Sequence, residues 1–347
     1  MSLAIRHEVV RTPFRDPFRI ARSSEDAVAT TVVVELTDDR LPALVGLGEG
    51  YPERYYGETP ETMAVVLPML LAAVGELELS PAGLAAASHA MDAAIRHNGA
   101  AKCALDIALH DLVGKALGTP VHDLLGLSAD VPPTDFTLGL DEPEVVAERA
   151  RRAAHFPALK IKVGGEADLA TLRAVREVYV GPIRVDANTA WTPDAALALL
   201  PELERLGVVL VEQPFPARRL DQLGWLQERS SLPIVADESA VTEEDLDGLV
   251  GVVAGVNVKL AKCGGVGPAA RMLARARDLG FRTFLGCMEE TSVGIAASAA
   301  VASLAEWVDL DGNLLLADDP FEGLELESDC RWRLSDEPGL GVRRRAS

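Results

Sequence analysis

The chain is 347 residues long, enough to bury a large core and to hold about two domains. Its 33 basic and 53 acidic residues leave a net charge of −20 with aromatics at only 5%, which excludes a surface built to track nucleic-acid phosphates and reads as solubility. Cys103, Cys263, Cys287 and Cys330 are far apart and form no zinc-site spacing, and no apolar run reaches the roughly 18 residues of a membrane helix. Arg6, His7, Glu8, Arg11, Arg15 and Asp16 interrupt any signal-like stretch at the start, so a cytoplasmic protein with no membrane partner is expected.

In chain order, Leu3–Val10, Ala29–Leu36 and Leu44–Tyr51 read as three strands of a meander. Helical patterns follow over Pro60–Glu76, Ser80–His97 and Ala100–Leu117. From Asp135 the regime changes. Short β-branched runs begin near residues 136, 158, 182, 207, 232, 255, 281 and 307, each followed by an alanine- and leucine-rich helical stretch. One strand and one crossover helix per interval, eight times, specifies a closed parallel barrel. The predicted fold is therefore a (β/α)-barrel, a modified TIM barrel, over residues 126–318, with an α+β N-terminal capping domain over 1–125. Residues 319–347 are expected to return to the capping domain, with the alternating stretch Leu324–Leu334 pairing with its sheet.

Chemistry in such barrels sits at the C-terminal ends of the strands. Five consecutive strands end in charge: Lys160 and Lys162, then Asp186, Glu212, Asp237 with Glu238, and Lys259. A single aspartate after a strand more often caps the next helix. Three carboxylates in register on adjacent strands instead suit a hard cation, since Mg²⁺ takes oxygen ligands and keeps open positions. Lys160 and Lys162 share strand parity and face the barrel interior, while Lys259 comes from across the carboxylates. A lysine of pKa about 10.4 is a poor base at neutral pH, so a neighbouring ammonium and the cation are expected to lower it. Removing a proton alpha to a carboxylate creates an ene-diolate, which needs the electrostatic stabilisation that a cation on that carboxylate supplies.

Together KxK at Lys160–Lys162, DAN at Asp186–Asn188, VEQP, ADES and KxxKxGG at Lys259–Gly265 resemble the muconate-lactonizing subgroup of the enolase superfamily, over nearly the whole chain. The resemblance implies Lys162 and Lys259 as the two acid/base catalysts, Lys160 as a helper on the substrate-carboxylate side, and Asp186, Glu212 and Asp237 as ligands of one Mg²⁺ per subunit, with Mn²⁺ as an alternative. Asp309-Leu310-Asp311 on the eighth strand resembles the dipeptide epimerases, in which two aspartates hold the substrate's α-ammonium; exposed turn aspartates are the plainer alternative. Thr137 and Cys287-Met288 resemble substrate-lining positions, and Glu290 is read either as lining the cleft or as a helix cap. Arg22 and Tyr55–Thr59 correspond to loops over the substrate side chain, where Arg22 meets a glutamate carboxylate or else lies on the surface.

GLGEG at Gly46–Gly50 and GGVG at Gly264–Gly267 lack dinucleotide-binding spacing, and His97 and His110 lack metal-ligand partners. The expected partner is a small dipeptide, a homo-oligomer is left open, and the expected activity is epimerisation at the Cα of the C-terminal residue, with L-Ala-Glu as a candidate. A muconate cycloisomerase, an o-succinylbenzoate synthase, an N-acylamino-acid racemase and a non-catalytic ligand-binding relative are the alternatives. Two opposed bases argue against the last.

Overall fold

The computed structural model describes residues 3–22 and 26–346; residues 1, 2, 23–25 and 347 of the predicted spans lie outside it. An antiparallel sheet opens the chain, β1 (Leu3–Phe18), β2 (Asp26–Asp38) and β3 (Gly46–Gly50), in that order. β1 runs eight residues beyond the predicted Val10, because its second half leaves the sheet register after Pro13 and docks on the barrel: Phe14 bridges Leu316, and Ala317 N donates to Pro13 O at 2.7 Å.

Helices α1 (Pro60–Val74), α2 (Pro81–Ala94) and α3 (Gly99–Leu117) pack on this sheet, started by Thr59 and Ser80, whose hydroxyls accept from Thr62 N and Gly83 N. The GLGEG run has its purpose here. A Cβ at Gly46, Gly48 or Gly50 would lie 2.2, 2.0 and 2.2 Å from the carbonyl oxygens of Ala108, Ala104 and Ala100. Glycine on one face of β3, against successive turns of α3, lets strand and helix backbones touch.

After α4 (Val121–Leu124) come eight parallel strands, β4 (Phe136–Leu138), β5 (Leu159–Lys162), β6 (Ile183–Asp186), β7 (Val208–Glu212), β8 (Ile234–Ala236), β9 (Gly255–Val258), β10 (Arg282–Gly286) and β11 (Trp307–Asp309). They hydrogen-bond in sequence order, and a parallel bridge between Thr134 and Val308 joins last to first. Helices α5 (Pro143–Arg152), α6 (Asp168–Val178), α7 (Pro193–Arg205), α8 (Leu220–Gln227), α9 (Leu246–Leu249), α10 (Leu260–Cys263), α11 (Val266–Asp278), α12 (Ser292–Ala299) and α13 (Gly312–Leu315) lie between or after them. The molecule is thus a (β/α)-barrel with an N-terminal capping domain. One large apolar core joins the outward faces of the strands to the helices, while Leu210, Val235 and Phe284 form a separate small cluster with Trp307. No helix of the described residues is long and apolar enough to cross a membrane.

The tail corrects one expectation. Leu324–Leu334 does not pair with the capping sheet: β13 (Glu325–Leu326) pairs with β14 (Trp332–Arg333), closing on itself, and Trp332 Nε1 donates to Leu310 O at 2.8 Å. Alternation marks a strand with one buried face but does not name its partner. The return to the cap is made elsewhere. Leu340 N donates to Asp111 at 2.8 Å, Val121 N donates to Gly339 O at 3.0 Å, and β15 (Arg343–Arg344), paired within the tail to β12 (Phe321–Glu322), sets Arg344 against Glu8 of β1.

Candidate active site

Strand parity brings the charged strand ends into one buried cluster. Asp186, Glu212 and Asp237 offer oxygens that all lie within 4.8 Å of one another, each at most 1% exposed. Lys162 Nζ donates to Asp186 Oδ2 at 2.7 Å and Lys259 Nζ to Asp237 Oδ2 at 2.9 Å. β5 and β9 stand four places apart in an eight-strand closed order, so these two amines approach from opposite sides of the barrel mouth. Lys160 Nζ lies among Asp186, Glu212 and Asp309, at 3.2, 2.9 and 3.1 Å.

Burial alone would lower Lys160 and Lys259, but the facing carboxylates outweigh both burial and the ammonium–ammonium repulsion and hold both amines above their ordinary value. Against the same cost of burial, Lys162 and Lys160 hold Asp186 well below the carboxylate range, and Lys259 and Lys262 do so for Asp237. Glu212 is pushed up to about 7 by burial and by Asp186. Three closely facing, dry carboxylates of this kind fit a divalent cation. Asn188 Oδ1 and Glu238 Oε2 are further buried acceptors beside them without a hydrogen-bond partner.

The DxD aspartates are buried, not turn residues in solvent. Thr137 orients both: its N–H donates to Asp311 Oδ2 at 2.5 Å and its hydroxyl to Asp309 Oδ1 at 3.0 Å. Burial and Asp309 push Asp311 well above the carboxylate range. Cys287 lies partly buried nearby, its thiol also raised by burial and by Asp311. Arg22 is not a free surface residue; it pairs with Glu238 and lies 4.6 Å above the Tyr55 ring, which ties the capping loop to the barrel mouth. Glu290 is buried, but it is not the helix cap. Thr291 is, its hydroxyl accepting from Val293 N at 3.3 Å, and Glu49 of β3 completes the cap, accepting from Thr291 N at 3.0 Å, Thr291 Oγ1 at 2.7 Å and Gly294 N at 2.8 Å.

Three supporting residues carried no assignment from the sequence. Lys262 Nζ donates to Asp237 Oδ1 at 2.5 Å and to the carbonyls of Asp237, Asn257 and Ala240. Asn257 Nδ2 donates to Glu212 Oε1 at 2.8 Å, and Gln213 Oε1 accepts from Asp237 N at 2.9 Å. Asn257 shares strand parity with Lys259, which is the signal that would have found it.

Residues 3–126 match the model of the mandelate racemase / muconate lactonizing enzyme N-terminal domain, and residues 144–346 match the enolase C-terminal domain-like model. The chain belongs to the enolase superfamily. It is 39% identical over 302 residues to the L-Ala-D/L-Glu epimerase of Bacteroides thetaiotaomicron, covering 86% of this chain and 78% of the relative. It is 37% identical to the L-Lys-D/L-Arg epimerase of Methylococcus capsulatus, covering 95% of each. The dipeptide epimerase from Enterococcus faecalis V583, solved with Mg and L-Leu-L-Tyr, superposes with a TM-score of 0.89 at 33% identity, covering 99% of each chain. Those three relatives share dipeptides and differ in side chain, one acidic, one basic and one apolar.

Proposed function

We propose that this superfamily member is a dipeptide epimerase, an isomerase that inverts the Cα of the C-terminal residue of a dipeptide. The observation that carries the reading is the pairing of two opposed amines at one carboxylate cluster with a buried DxD placed to take an ammonium. Relatives of this identity named for dipeptides support it. Asp186, Glu212 and Asp237 would hold the cation, Mg²⁺ with Mn²⁺ as the alternative, which when bound neutralises charge on the substrate carboxylate.

The chain's own residues do the rest. Lys160 adds a fixed positive charge beside the carboxylate end of the substrate. Lys162 and Lys259 face Cα from its two sides: one amine takes the proton and the other ammonium returns one to the opposite face. An amine acts as base only without its own proton, so the acting lysine must first part from its carboxylate partner. Lys262 and Gln213 fix Asp237, and Asn257 fixes Glu212, so that these side chains need no reorganisation. Asp309 and Asp311, aligned by Thr137, take the free N-terminal ammonium. Arg22, held between Glu238 and Tyr55, is placed to exchange Glu238 for a substrate carboxylate, which makes L-Ala-L-Glu the first dipeptide to test.

The test is epimerisation in D₂O. Lys162→Ala and Lys259→Ala should each abolish interconversion yet leave deuterium exchange on one epimer, a different one in each variant. Interconversion near the wild-type rate in either variant overturns the two-base assignment.

A further inference from the structure

The barrel flank between β11 and β4 holds a cavity outside the site described above. After β11 only the four residues of α13 are helical, so no full-length helix covers this flank among the described residues. The end of β1 and the β13–β14 hairpin close over it instead. They leave a cavity of about 360 Å³, within the size range of small-molecule sites.

Its walls are apolar, built from Phe18, Phe136, Leu138, Phe156, Leu314 and Leu315, with Phe136 stacked on Phe156 at 4.8 Å. Its mouth is basic in a chain of net charge −20. Arg152 is neutralised by Asp16 at 2.8 Å and Arg149 by Asp141 at 2.8 Å. Arg15 is exposed, donates to the carbonyl of Leu316 at 2.6 Å and forms no ion pair among the described residues, the carboxylates of Asp319, Glu322 and Glu325 lining the adjoining cavity on its far side. An apolar cavity with one guanidinium free of an ion pair at its mouth matches a molecule with an apolar body and a single anionic end.

The same walls reach the active site from behind. Phe136 and Leu138 face the cavity, while Thr137 between them faces inward and holds Asp309 and Asp311. Leu314 and Leu315 belong to α13, which begins directly after Asp311.

We propose that this cavity is a second binding site, for an amphiphilic monocarboxylate whose acyl or aryl body lies against Phe136, Phe156 and Leu314 and whose head meets Arg15, and that its occupancy shifts the aspartates on the other face of β4. The binding half stands without the dipeptide reading; the coupling half rests on it.

The experiment titrates decanoate, below its micelle concentration, into the full-length protein by calorimetry. Saturable one-to-one binding is expected. It should weaken by about tenfold or more for decanol and for Arg15→Gln, the size of one lost charge-assisted hydrogen bond. It should vanish in Ala153→Trp, which fills the cavity from the α5 side; Arg15→Gln, on the surface, decides the matter should that variant fail to fold. Decanoate should also change KM for a free dipeptide without competing with it. Absence of saturable binding, equal binding of decanol, an unchanged Arg15→Gln, or complete exclusion of decanoate by saturating dipeptide each overturns the second site, whereas a ternary complex with altered affinities is the coupling expected. Binding without any change in KM overturns the coupling alone. A protein without epimerase activity would remove the dipeptide reading and leave the calorimetric result standing.

Discussion

Asp311 and Glu290 show how a buried carboxyl is used in two ways. Asp311 accepts one N–H from Thr137 and lies beside Asp309, so it is costly to keep charged until a cation arrives. Losing one partner of a desolvated charge pair commonly costs about 2 to 5 kcal/mol, so Asp311→Asn should raise KM for a free dipeptide strongly. The wild type should use an N-acetylated dipeptide poorly, because a neutral amide would face two carboxylates; equal kcat/KM for the two would point to an acylamino-acid racemase instead. Glu290 has an unpartnered Oε1, and burial together with Glu49 raises it well above its ordinary 4.5. The folded state therefore keeps a proton that the unfolded chain gives up above pH 4.5, and the protein loses stability as pH rises from there toward the folded value. Glu290→Gln, which mimics the protonated form, should match the wild type in Tm below pH 4.5 and gain on it as the pH rises from there. A constant difference across that range would show that Glu290 is charged in the fold. Its neighbourhood was not readable in advance, because the carboxyl that completes the cap of the following helix beside Thr291 is Glu49, 242 positions away.

At the level of elements, the barrel strands were legible because their inward positions carry charge at one end while the remaining residues are β-branched and apolar, a signal local to each run. Pairing between distant elements leaves no such local trace. Leu324–Leu334 advertised a half-buried strand and left its partner open, and Gly46, Gly48 and Gly50, legible as part of a strand, gave no sign of the helix α3 that packs directly on them. The same holds for the caps that cross between domains. Asp106 of α3 accepts from Val266 N at 2.6 Å and Gly267 N at 3.3 Å, closing the first turn of α11, and Gly265 supplies the positive φ that brings this turn to it. Asp106→Ala should cost about 1 to 3 kcal/mol in urea unfolding, since it leaves buried N–H groups unpaired. Glu306→Ala, which removes an ion pair with Arg282 between two solvent-exposed side chains, should cost under about 1 kcal/mol. Equal losses would mean that the Asp106 cap contributes no more than a surface pair.

Across the whole molecule, the capping domain is attached by buried polar ties at three places. Glu49 completes the cap of α12, Asp106 caps α11, and Asp111 accepts from Leu47 N at 2.7 Å and Leu340 N at 2.8 Å, joining β3, α3 and the C-terminal tail. α12 follows the strand that delivers Cys287 and α11 follows the segment that delivers Lys259 and Lys262, so the cap sets the barrel loops that line the site. A buried carboxylate with two or three N–H or O–H donors is lost only when both domains move apart, because each side would otherwise keep an unsatisfied group. Cap and barrel should therefore melt as one unit, in a single calorimetric transition with equal calorimetric and van't Hoff enthalpies. Cutting two of the three ties in Glu49→Ala/Asp106→Ala removes that requirement while leaving the barrel strands and the β1–β3 sheet intact. The double variant should separate into two transitions, the lower one accompanied by loss of epimerase activity. One sharp transition at a reduced Tm would instead place the cooperativity in the apolar contact between the domains and not in the caps.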